Sequence, residues 1–69
     1  MQHRAAIELQ VSDRYSIEVS PVLGNWGVIV YELPTRHVIT EDIYPERWRA
    51  VARAHDFRRL LETRERKAA

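Results

Sequence analysis

The chain has 69 residues, 45% of them apolar and 30% charged, with two glycines, three prolines and no cysteine. That composition is globular, and the missing thiols exclude a disulfide scaffold, a cysteine nucleophile and any cysteine-based zinc or iron–sulfur centre. A net charge of +1, from 11 basic against 10 acidic side chains, leaves no whole-chain attraction to nucleic acid or acidic lipid.

The length suits a single domain over residues 1–69: an antiparallel sheet over about 5–43, a helix over about 45–66 and a frayed tail at 67–69. So short a chain buries only about 60% of its unfolded surface. With no disulfide or metal cluster to staple it, a second copy is the expected support, and a homodimer is predicted. The longest apolar run, Val28 to Tyr31, is far too short to span a bilayer. Arg4 and Glu8 interrupt any secretory segment. A cytoplasmic protein is expected.

In chain order, Ile7, Leu9 and Val11 alternate with Glu8 and Gln10, the pattern of a half-buried strand. Ser12-Asp13 supplies turn chemistry. Tyr15, Ile17 and Val19 then alternate with Ser16, Glu18 and Ser20, which predicts an antiparallel hairpin with one wet face. Pro21 ends this second strand or sits at its edge. Gly24-Asn25 reads as the next turn. Val28-Ile29-Val30-Tyr31 is apolar on both faces, so the third strand is central or covered on its second face. Pro34-Thr35-Arg36 is a turn, and His37 to Thr40 is a short fourth strand or the tail of the preceding hairpin.

From Pro45 the period becomes helical. Pro45 suits the first helical position and Glu46 the positive N-terminal end, while Arg64, Arg66 and Lys67 complement the C-terminal end. Trp48, Val51, Ala52 and His55 fall at i, i+3, i+4 and i+7, and Phe57, Leu60, Leu61 and Arg64 repeat that spacing. The two stripes are out of phase, because Phe57 lies about 160° around the helix from His55. Either the helix breaks at His55-Asp56, with Asp56 as a cap, or it runs on and turns its second stripe to another molecule. The lack of turn residues around Asp56 favours a continuous or gently kinked helix.

Charge is unevenly divided. Residues 1–44 carry three arginines against six carboxylates, net −3, and residues 45–69 carry seven arginines and a lysine against four, net +4. The basic helix reads as a solvated face with i,i+4 partners such as Glu62 with Arg66, or as an arginine surface that docks on an acidic partner. The tryptophans also read two ways: as cover for the sheet, or, for Trp48 with the second stripe, as interface anchors of the kind that pair aromatics with arginine.

Catalysis has little to stand on. No phosphate-binding loop, nucleophile elbow or zinc-protease motif occurs, and His55-Asp56 point about 100° apart on a helix. His3 lies in the N-terminal tail, and His37 with His55 and Glu41 or Asp42 makes only a weak case for a metal. No enzyme activity, cofactor or metal is expected.

The segment GNWGVIVYEL, with strands before it and a helix after it, resembles in order and spacing the three-stranded DNA-reading domains of AP2 type and some integrase N-terminal arms, over residues 14–61. Such domains present basic residues on the sheet. Here the strands carry Glu18, Glu32 and Glu41, so DNA contact would fall to the arginines of the helix and to a dimer that presents two of them.

The sequence therefore predicts an α+β fold, a sheet of three or four antiparallel strands followed by one long helix packed on it. The function predicted is a non-enzymatic protein–protein interaction module, a homodimer that binds and inhibits or modulates another protein such as a host regulator or enzyme. In size and make-up the chain resembles phage and mobile-element accessory proteins. The contact surface or dimer seam is expected at Trp48, Arg53, Phe57, Arg58, Leu60, Leu61 and Arg64. The alternative is a small DNA-binding regulator that uses the basic helix; no membrane partner is expected.

Overall fold

The computed structural model describes residues 6–68; His3, read as tail, Arg4, read as interrupting a secretory segment, and Ala69 lie outside them. Four strands, β1 (Ile7–Gln10), β2 (Tyr15–Val22), β3 (Asn25–Glu32) and β4 (His37–Tyr44), pair in sequence order as one antiparallel sheet, and helix α1 (Arg47–Ala68) packs across one face. The architecture is α+β, with four strands rather than three. The fourth is longer than the sequence suggested and runs through Tyr44.

Register sorts the side chains. Ile7 and Leu9 stand opposite Val19 and Ile17, which stand opposite Val28 and Val30, so one face is apolar across three strands. Ile17, Val19, Val28 and Val30 are fully or almost fully buried there, with Tyr15 beside them. The other face carries Glu8, Glu18, Ile29 and Glu41 in one row, and Gln10, Ser16, Tyr31 and Val38 in another. Burial of the first face is the main stabilising force for so small a chain.

The helix covers that face with one stripe, and it is neither of the two read from the sequence. Ala50, Ala54 and Leu61 are buried and Phe57 packs against them, a spacing of i, i+4, i+7 and i+11 that a straight helix presents on one side. Two alanines at the contact let the helix backbone approach the β-branched surface of β2 and β3. The helix is unbroken through His55-Asp56, and Asp56 pairs with Arg59 instead of capping a new helix. The Ala50 N–H bonds back to the Glu46 carbonyl, so Glu46 is the N-cap and Pro45 precedes it instead of opening the helix. At the far end the helix extends through Lys67 to Ala68.

Pro21 lies within β2, one residue before its end. Its ring nitrogen faces away from β3 and past the last β1 pair at Val19 and Ile7, so no ladder bond is lost. The β2–β3 turn is one residue earlier than expected. Leu23 and Gly24 are its central residues, with φ of 49° and 83°, the two positive values of a type I′ hairpin turn. A glycine suits the second position, but the leucine at the first is strained and 98% exposed. Leu23→Asn should therefore raise stability by about 0.5–1 kcal/mol and the melting temperature by about 5 °C. A thermal melt that is unchanged or lowered would count against the assigned turn. Gly27 has another reason to lack a side chain: a Cβ there would meet Val22 Cγ2 at 3.0 Å and Ile43 Cδ1 at 3.4 Å, since both side chains close over it.

Candidate interaction surface

The residues expected at the contact surface lie on three sides of α1. Phe57 and Leu61 face the sheet, and Leu61 is only 8% exposed. Arg53 reaches from the helix to β4, where its Nε–H donates to Asp42 Oδ2 at 3.1 Å and its guanidinium lies over the Phe57 ring at 4.3 Å. Arg58, on the opposite flank, donates to Glu62 Oε2 at 3.2 Å. Trp48 and Leu60 face solvent, 69% and 62% exposed. They do not form one patch, since twelve residues of helix separate them by about 18 Å along the axis and about 120° around it.

What does assemble is a shallow hollow on the outer flank of α1, lined by Arg53, Asp56, Arg59, Leu60 and Thr63. Arg64, one turn after Leu60, continues the flank and is exposed. Helix spacing brings these side chains together, as residues three and four apart share a face. The basic helix is partly neutralised. Glu46, Asp42, Glu62 and Asp56 pair with Arg49, Arg53, Arg58 and Arg59. Arg47, Arg64, Arg66 and Lys67 have no carboxylate within 4 Å among the described residues. Three of these four stand in the last two turns, so positive charge collects at the C-terminal end of the helix. Arg47 instead lies 5.7 Å from the centre of the Trp26 ring, which is itself packed against the core.

The sheet face away from the helix holds a cluster that sequence reading missed. Arg36, in a left-handed conformation (φ 61°), turns its side chain over β2 and β3. Its guanidinium lies 4.1 Å from the Tyr31 ring centre and bridges Glu8 at 3.2 Å and Glu18 at 3.7 Å. Beneath it, the Ser16 hydroxyl donates to Glu8 Oε2 at 2.6 Å and the Tyr31 hydroxyl to Glu18 Oε1 at 2.8 Å. Ser16 is thus buried on the face expected to be wet. The Ser16 hydrogen bond, with that of Arg36, holds the Glu8 carboxyl below its ordinary range. Donation to Glu18, with partial burial, pushes the Tyr31 phenol up. The alternation of polar residues in β1 and β2 was the available signal, but only the backbone turn at Arg36 brings them under one cation.

Among the described residues no three histidine or acidic side chains come together as a metal site, and no helix is long and apolar enough to cross a membrane. Compared with protein-family models, curated proteins and solved structures, the chain matches none. Fold and surface together define a small α+β domain with seven of its ten arginines on one helix and half of its ten carboxylates on the strands.

Proposed function

We propose that this chain is a protein–protein interaction module, acting as a homodimer, that binds and so inhibits or modulates another protein through the outer flank of α1. The observation that carries the reading is Leu60, a large apolar side chain 62% exposed at the rim of a hollow between arginines. An apolar anchor ringed by guanidinium groups is the make-up of a binding hot spot. Arg64 has no internal carboxylate partner among the described residues, which suits an acidic rim on the bound protein. The test is an affinity pull-down from a lysate of the native host, with and without nuclease, using wild type and Leu60→Asp. A discrete protein that survives nuclease and is lost at least about tenfold with Leu60→Asp is the expected result. Equal recovery by both chains would overturn the flank as the contact.

A second reading, a small DNA-binding regulator, is favoured by the cluster of Arg64, Arg66 and Lys67 at one helix end. In that case recovery vanishes with nuclease and falls steeply with salt.

A further inference from the structure

The two edges of the sheet are unlike. β1 has four residues, and β4 has eight, with Val38, Ile39 and Ile43 about half exposed. Among the described residues strand β4 pairs only with β3, so alternate residues leave their backbone groups open on the other side. Which residues these are follows from the turn. In a two-residue hairpin Val22 and Asn25 exchange backbone bonds, and the Leu33 N–H bond to the Arg14 carbonyl at 2.7 Å keeps the same alternation at the other end. The odd positions of β3 therefore bond to β2 and the even ones to β4. Trp26, Val28 and Val30 hold Tyr44, Asp42 and Thr40. Glu41 and Ile43 turn their N–H and C=O groups outward.

The stretch able to accept a further strand is bounded. A register shift opposite Val30 and Tyr31 leaves Ile39 as a bulge that bends the strand. After Tyr44 comes Pro45, which has no N–H. That leaves Thr40–Tyr44, with Asp42 in the middle.

The geometry points to a second copy of this chain on the β4 edge, added antiparallel about a two-fold axis at Asp42. Glu41 of each copy then exchanges backbone bonds with Ile43 of the other, and the two sheets join into one. Thr40 stands opposite Tyr44, a favourable β-branched and aromatic pair, and the two Ile43 side chains become diagonal neighbours on the outer face. Two Asp42 carboxylates opposite each other would repel. Each, however, already holds the Nε–H of an Arg53 at 3.1 Å from the helix above. Across the axis the order is Arg53, Asp42, Asp42, Arg53, so each carboxylate meets the other already paired with a cation of its own chain. The open stretch Thr40–Tyr44 is symmetric about Asp42 and so pairs with itself over its whole length, and each copy brings the Arg53 that offsets its own Asp42, which is why the occupant is a second copy. This seam deepens the homodimer in the reading above and shares Arg53 alone with the α1 flank.

Analytical ultracentrifugation of the full chain over a dilution series tests it. Wild type should sediment at twice the chain mass. Glu41→Pro removes only an outward N–H, so β3 keeps its bonds; this variant should be a monomer with an unchanged circular dichroism spectrum. Arg53→Met should raise the dimer Kd by about thirtyfold or more, and Asp42→Asn in the same chain should restore it. A wild type monomeric at every concentration, a Glu41→Pro dimer, an Arg53→Met dimer of unchanged Kd, or a dimer lost only on Leu60→Asp would overturn the seam. Glu41→Pro that still captures the target protein shows failure or success of the seam apart from that of the flank.

Discussion

Leu61→Asp should leave the chain largely unfolded, and Leu60→Asp, one residue earlier, should leave the fold intact. The two leucines are neighbours in sequence but about 100° apart on the helix. Leu61 sits 8% exposed in the core, and Leu60 is 62% exposed. Cutting back a buried leucine costs about 2–5 kcal/mol before any charge is added, and an unpaired carboxylate in that place adds to the loss. A single core of this size supplies only about 3–5 kcal/mol in total. Substitution at an exposed position away from special contacts changes stability by about 0.5 kcal/mol or less. Urea denaturation followed by circular dichroism separates the two. Similar curves for both variants would contradict the face assigned to each.

Ile17→Ala should be nearly as severe, with a loss of about 2–5 kcal/mol. Ile17 is fully buried, paired with Leu9 on one side and Val30 on the other, under the helix. Its deletion leaves a void that three strands and a helix surround, so little can collapse into it. Ile29→Ala, on the opposite face of the neighbouring strand, is the control. Ile29 is only half-buried, so it should lose less than about half as much. The urea midpoints should separate with an unchanged slope. Equal losses would mean that the outer face is as closely packed as the core.

The strands were legible because their alternation is a purely local signal. Ile7 and Leu9, then Tyr15, Ile17 and Val19, declare one face at a period of two, and register places them together. The helix was legible in type and extent but not in orientation. Reading for large apolar side chains picked out Trp48 and Leu60, which face solvent, and passed over Ala50 and Ala54, which are buried. Close approach to a crowded β-branched sheet favours small residues at the contact, so alanine there carries more information than its hydrophobicity suggests. The β2–β3 turn was misplaced by one residue because leucine is a poor choice for a positive φ, and nothing local in the sequence announces it. The Glu8, Ser16, Glu18, Tyr31 and Arg36 cluster was legible only as polar alternation in β1 and β2, not as a cluster. Its members are brought together by the pairing of three strands and one left-handed residue, and no spacing along the chain encodes that. Of the seven residues read as contacts, the fold divides Leu61 and Phe57, turned to the sheet, from Leu60, Trp48 and Arg64, turned to water. Their shared spacing concealed that division.

The order of the elements has a consequence for synthesis. The sheet is a meander, so each strand finds its neighbour as soon as the next one has emerged. Among the described residues its apolar face is covered by α1 residues 50–61, which follow the last strand. On the ribosome, all four strands are therefore translated before the first buried helical residue is added, and Arg14 in the first turn finds its partner Glu65 only near the end of the chain. Until residues 50–61 are added Ile17, Val19, Val28 and Val30 have no helix over them, and a chain cut short after β4 leaves the underside of its sheet bare.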